Sequence, residues 1–197
     1  MKQLKIVTVS LLSATLLLAG QGQGHHKGQK GDKAYKKAVK IGNKASKKLL
    51  KTLGGNLKKH MKAGGPADAL AFCAANAADL TAKVDRELGK KVTIKRITLK
   101  PRNPANEAKG EEKAILKALE TLNYNGVKLP KHLVQKTASG YRYYKPLVIK
   151  KQVCLKCHGP NIAPKLKAVI DKHYPTDKAR GYKMGDLRGA IVVDIQK

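Results

Sequence analysis

The sequence has no tryptophan and one phenylalanine, beside seven tyrosines. An apolar core must therefore come from aliphatic side chains and tyrosine rings. Cysteine is scarce too. Three residues, Cys73, Cys154 and Cys157, exclude a disulfide-dense scaffold, and an odd number cannot all pair with one another. Acids are few: 13 Asp and Glu stand against 42 Lys and Arg, a formal charge of +29. That surplus calls for an anionic partner without choosing among nucleic acid, membrane and acidic protein. No long apolar run offers a span. The uncharged stretch Ile6 to Leu18 is too short to cross a bilayer comfortably. What remains suffices for a fold: 197 residues are one domain's worth, and 42% hydrophobic content argues against wholesale disorder.

The first twenty residues read as a secretory signal peptide. Lys2 and Lys5 form a positive start, Ile6 to Leu18 the apolar region, and Leu18-Ala19-Gly20 the cleavage segment. An uncleaved anchor is the alternative. Gln21 stands where a lipoprotein box needs cysteine, so lipidation is not expected. Cleavage removes Lys2 and Lys5 and leaves 40 basic residues against 13 acids, a formal +27. An exported, periplasmic chain excludes a cytoplasmic nucleic-acid partner, and no membrane span is expected after cleavage. Residues 21–32 are Gly/Gln-rich and read as a flexible leader. His25 and His26 lie there as weak metal candidates, against the simpler reading of solvated linker.

Residues 33–197 read as a single α+β domain. From Lys33 to Lys62, Ala38, Ala45, Leu49, Leu50, Leu53, Leu57 and Met61 fall on one helical stripe, with lysines opposite. The lysines form a solvated face or a docking face for an acidic partner. Gly54-Gly55 is expected to interrupt or kink this helix, and Gly64-Gly65 to stop it before Pro66 opens the next. Pro66 to Glu87 is an alanine-rich helix with Leu70, Cys73, Ala74, Ala77 and Leu80 on one face. Its small side chains would let a flat, bulky object approach. Alternation of Val92, Ile94 and Arg96 indicates a strand. A proline-stiffened turn at 101–106 follows, then a helix over 111–122, two strands across 135–148, a site loop, a short helix and a last strand over 188–195.

Cys154-Leu155-Lys156-Cys157-His158 is a C-x-x-C-H sequence, the signature of covalent c-type haem attachment. Two thiols at this spacing reach the two vinyl groups of one porphyrin edge, and the following histidine is directed at the iron. A thioredoxin-like pair would need no such histidine and normally opens a helix after a strand. A zinc site would want a fourth ligand. A structural disulfide between Cys154 and Cys157 is the plainest alternative. The residues leave the second axial ligand open among Met61 or Met184, His60, His132 or His173, Cys73, and an empty position. The plain reading of Cys73 is an ordinary buried thiol.

Five segments in order, Gly64-Gly65-Pro66…Ala69…Phe72-Cys73, Arg102 to Asn106, Cys154 to Gly159, Tyr174 to Tyr182, and Gly185 to Ala190, make the chain resemble the bacterial PAS-like c-type haem domain family. That family is also called Tll-like after a cyanobacterial member. The resemblance spans roughly Ala45 to Ile195. It implies a PAS-like antiparallel sheet with long N-terminal helices, holding one covalent haem c. It also implies His158 as proximal axial ligand and Cys73 as the second. No kinase or cyclase segment follows Ile195, so the stand-alone form is expected. The lysine content and the alanine run around Cys73 depart from the family.

A thiolate opposite histidine favours ferric iron and a low potential, and its displacement on reduction would open a site for a diatomic gas. The expected function is redox or gas sensing. The alternative is an electron-transfer cytochrome docking to an acidic redox or signalling partner through the lysine face. No acid–base constellation suggests an enzyme. Arg102 and Arg188 are candidates for the haem propionates, since guanidinium binds carboxylate in bidentate geometry. Tyr141, Tyr143 and Tyr144 either pack on the porphyrin or form the core.

Overall fold

The structure, a computed structural model, describes residues 33–197. The signal-peptide and leader readings, His25 and His26 included, lie outside the described residues. In chain order come α1 (Lys33–Ala63), α2 (Gly65–Glu87), β1 (Val92–Ile97), a 3-10 turn (Pro104–Asn106) and α3 (Gly110–Tyr124). Then follow β2 (Leu133–Lys136), β3 (Gly140–Val148), α4 (Gln152–His158), α5 (Pro164–His173) and β4 (Leu187–Gln196). The expected α+β composition is present, with one difference. The C-x-x-C-H segment is a short helix rather than a loop.

The strands form one antiparallel sheet in the order β1-β4-β3-β2. The last strand therefore lies inside the sheet, and its run Ala190 to Val193 is fully buried. Such a strand is buried on both faces, which is why its sequence is continuously apolar instead of alternating. Ile94, Tyr143, Ile191, Val193 and Ile195 face α1 and α2, packing with Ala38, Ala45, Leu49 and Val84. Ile97, Tyr144, Ala190 and Val192 face the other way, onto Leu116 and Leu119 of α3. The two adjacent tyrosines of β3 thus serve opposite layers, as the two-residue period of a strand requires. Both are core aromatics, with Tyr143 donating its hydroxyl to Asn43 Oδ1 at 2.9 Å.

Helix α1 approaches the sheet through small residues. Ala38, Gly42, Ala45, Ser46 and Leu49 are its buried positions. A Cβ on Gly42 would fall 2.2–2.7 Å from three atoms of the Tyr143 ring, so only glycine permits this contact. Gly54-Gly55 does not break the helix, which runs unbroken to Ala63. Both glycines have open space around their Cα atoms. Leu50 and Leu57, placed on the apolar stripe by spacing, are 39% and 42% exposed. One helical step is about 100°, so Leu50 cannot share the direction of Leu49 where the buried face is narrow. The turn between α1 and α2 uses Gly65 at φ 72°, ahead of Pro66 in the first turn of α2.

No helix among the described residues is long and apolar enough to cross a membrane.

Candidate functional site

Cys154, Cys157 and His158 lie on the single two-turn helix α4. Spacings of three and four place the thiols one turn apart, with His158 one turn beyond Cys154. All three cysteines of the chain are free thiols, so no disulfide joins Cys154 to Cys157. Gly159 ends the helix. It is buried, and a Cβ there would meet the Leu155 carbonyl oxygen at 2.5 Å.

A second segment, residues 177–182, crosses beneath the motif and holds it by backbone. Tyr182 N–H donates to the His158 carbonyl at 2.9 Å, and Gly181 N–H to the Gly159 carbonyl at 3.1 Å. His158 Nδ1 lies 2.9 Å from the carbonyl oxygen of Ala179. A carbonyl only accepts, so Nδ1 carries the proton and Nε2 keeps its lone pair. Tyr182 meets the His158 ring edge-on with centroids 6.2 Å apart. Burial, with Arg188 and Arg102 nearby, holds the imidazole pKa down to about 3. The ring is thus neutral at physiological pH, the form a metal ligand needs.

Arg102, a propionate candidate from the sequence, is engaged elsewhere. Its Nε and Nη2 straddle Asp177 at 3.2 Å each, and Nη2 also reaches the Cys157 carbonyl at 2.5 Å. The turn that presents it is rigid: Asn103 accepts from Ala105 N–H at 2.9 Å, and the Pro101 carbonyl accepts from Lys178 N–H at 2.9 Å. Asp177 has no exposed side-chain surface and also accepts from Arg180 Nε at 2.7 Å and Ala179 N–H at 2.9 Å. Burial opposes its ionisation. The bonds from Arg102, Arg180 and the Ala179 amide outweigh that and hold the carboxyl below the usual range. Arg102 therefore clamps the motif helix to the segment beneath it.

Arg188 donates from Nη1 to Thr98 Oγ1 at 2.7 Å and to the Lys100 carbonyl at 3.2 Å. Its guanidinium lies 5.4 Å from the centre of the Tyr182 ring, with Lys100 Nζ at 4.7 Å. Burial lowers the affinity of Arg188 for its proton, and no salt bridge among the described residues balances its charge.

Cys73 is half-buried on α2, and the site reaches it. Its thiol is pushed up by burial, with Arg96 opposing and Cys157 reinforcing the shift. Cys73 and Cys157 are therefore electrostatic neighbours. The Leu70 face of α2 also packs with Leu166 and Ile170 of α5, against which Cys157 and Tyr174 lie. The other axial candidates are placed differently. His60 bonds Asp68 at 2.8 Å and stacks on Phe72, 3.9 Å between centroids. His132 stacks on Tyr143, Met61 is half-buried at the end of α1, and His173 and Met184 are exposed.

The competing motif readings fare less well. The helix does follow a strand, as a thioredoxin-like pair would. Such a pair, however, has no need of the histidine that follows Cys157, and here that histidine is held in place by the Ala179 carbonyl. Among the described residues no three His, Cys, Asp or Glu side chains converge as around a zinc ion.

A cleft of about 610 Å³ lies between the end of α3 and the 182–187 turn and is lined by Lys100, Asn123, Tyr182 and Met184 among others. It borders Tyr182 but not the two thiols. Residues that spacing and composition did not single out include Arg96, Tyr174, Asp177, Ala179 and Tyr182. Tyr174, Asp177, Ala179 and Tyr182 belong to the fourth segment of resemblance, which signalled the stretch without assigning roles.

A family model described as Tll0287-like matches residues 26–196. The solved structure of the cyanobacterial heme-protein Tll0287 superposes with a TM-score of 0.58 at 23% identity, covering 82% of this chain and 96% of that one. At this identity the likeness shows a shared fold. No curated protein matches the chain.

Proposed function

The chain belongs to the Tll0287-like family, and from that premise we propose that it is an exported, periplasmic haem protein with one haem c on Cys154 and Cys157. The observation that carries this reading is the state of α4: two free thiols one turn apart, followed by a histidine whose Nδ1–H is fixed on Ala179. The solved neighbour is itself a heme-protein, which supports the same class of cofactor. We read the fold as PAS-like, as the resemblance implies.

The residues fit the group. His158 is neutral and presents Nε2, while an Arg96 Nε is buried without a partner among the described residues and suits an anionic ligand. Haem, when bound, supplies a one-electron couple. Cys154 and Cys157 would hold it covalently. His158 would occupy the proximal axial position, with its basicity raised by the Ala179 carbonyl. Cys73, adjacent to Cys157, is the proposed second ligand. Tyr182 and the Arg102–Asp177 clamp orient His158 and restrict its movement.

A Cys73 thiolate suits redox or diatomic-gas sensing, because it favours ferric iron and can leave on reduction. The test compares ferric and ferrous spectra of the wild type and Cys73→Ala, then adds CO to the ferrous wild type. The reading expects an altered ferric spectrum in the variant and CO binding in the wild type. An unchanged ferric spectrum removes Cys73 as ligand, and absence of CO binding removes gas sensing.

One observation favours electron transfer as a second reading. The lysines of α1 from Lys33 to Lys62, Lys48 apart, are exposed along one 31-residue helix. Docking through this face to an acidic redox protein would weaken steeply with salt.

A further inference from the structure

The cleft of about 610 Å³ between the end of α3 and the 182–187 turn takes no part in the haem reading. One side chain stitches its two walls together. Asn123 accepts from Leu187 N–H at 2.8 Å and donates to the Gly185 carbonyl at 3.1 Å. The cleft is therefore built into the fold, and its size is that of a small-molecule site.

Tyr182 lines it, with Lys100 Nζ 4.7 Å from the ring centre and the Arg188 guanidinium 5.4 Å from it. Lys100 donates once to the Arg180 carbonyl at 2.7 Å, which fixes the ammonium and leaves two donors. Glu120 lines the same cleft, and it is exposed, with no hydrogen bond or ion pair among the described residues. The other acid of the wall, Asp186, accepts from Lys183 N–H at 2.7 Å. A lysine and a glutamate thus share one cleft without closing on each other, and they offer opposite charges to one ligand. The apolar lining is open as well. Tyr124 is 90% exposed and Met184 42%.

We propose that this cleft binds a free α-amino acid with an apolar side chain. Such a molecule carries both charges on adjacent groups. Its carboxylate suits Lys100, on the side where Arg188 adds positive potential, and its ammonium suits Glu120. Its side chain covers Tyr124 and Met184. A plain anion is repelled by Glu120 and a plain amine by Lys100 and Arg188, so the two charges select a zwitterion. The inference stands on the cleft alone and does not need the haem, although Tyr182 also meets the His158 ring edge-on.

The test is isothermal titration calorimetry on the chain exported from a host that attaches haem c, as wild type, Glu120→Gln and Lys100→Met. The probes are L-leucine, L-phenylalanine, N-acetyl-L-leucine, which lacks the ammonium, and 3-methylbutylamine, which lacks the carboxylate. Saturable one-site binding of leucine or phenylalanine to the wild type is expected. Each single-charge probe is expected to bind about tenfold or more weakly than leucine. Glu120→Gln is expected to weaken leucine about tenfold and to spare N-acetyl-L-leucine, while Lys100→Met weakens leucine and spares the amine. Glu120 is exposed and holds no other group, so its variant keeps the test decisive even if Lys100→Met folds poorly. No saturable binding of either amino acid to the wild type overturns the inference. So does N-acetyl-L-leucine or the amine binding as tightly as leucine, or leucine binding unchanged in Glu120→Gln.

Discussion

The Nδ1 of His158 lies 2.9 Å from the carbonyl oxygen of Ala179. This contact decides which ring nitrogen faces outward, and its strength depends on how firmly Ala179 is held. Asp177 holds it, by accepting from the Ala179 amide and from Arg102 and Arg180. The histidine's orientation therefore depends on a buried carboxylate that is remote from the motif in sequence.

Replacing that carboxylate is the first prediction. Asp177→Asn takes the counter-charge from Arg102, while Arg180 keeps Asp171, and breaking a buried pair of this kind costs about 3–5 kcal/mol. A lower urea midpoint and poorer haem retention are expected. Wild-type stability in the variant would show that the clamp is idle.

The same residue sets an acid dependence. Its folded pKa is below the ordinary 3.8, so on acidification the unfolded chain takes up the proton first. The stability it contributes is fully present above pH ~3.8 and is lost as pH falls through the lower folded value. Urea unfolding between about pH 5 and pH 2 should show a fall that Asp177→Asn does not share. Parallel curves for the two proteins would count against this assignment.

Helix α1 offers a paired test of glycine. Gly42→Ala drives a methyl into the Tyr143 ring and is expected to cost about 1–3 kcal/mol. Gly54→Ala and Gly55→Ala meet no atom within 4 Å and should each stabilise by about 0.5–1 kcal/mol through helix propensity. Thermal unfolding of the three variants reads both signs at once. Equal effects at all three positions would contradict the close approach at Gly42.

Ser46 gives a further prediction. Its hydroxyl is fully buried on α1 and has no hydrogen-bond partner among the described residues. Ser46→Ala removes that unmet polar group and adds helix propensity, so a gain of about 1 kcal/mol is expected. A loss of stability would mean that the hydroxyl has a partner in solution.

What the sequence makes legible follows the range of the signal. The stripe of α1 and the alternation of β1 are local, and both elements form where the spacing puts them. Seven residues are too few to show a helical period, so the C-x-x-C-H helix reads as a loop in the sequence. The partner of Arg102, Asp177, is 75 residues away, so the sequence alone points Arg102 at a propionate. Arg96 shows in sequence only as an inward position of a strand. What marks it, a buried Nε without a partner, exists only once β1, α2 and the Tyr174 segment are packed together.

The central claim is covalent attachment of one haem at α4, and intact mass tests it most directly. The wild-type chain, exported from a host that attaches haem c, is compared with the Cys154→Ala/Cys157→Ala double variant. The account predicts a wild-type mass larger by one haem, beyond the two sulfur atoms removed, and no haem on the variant. A wild-type mass matching the bare chain, with Cys154 and Cys157 both open to alkylation, would contradict it.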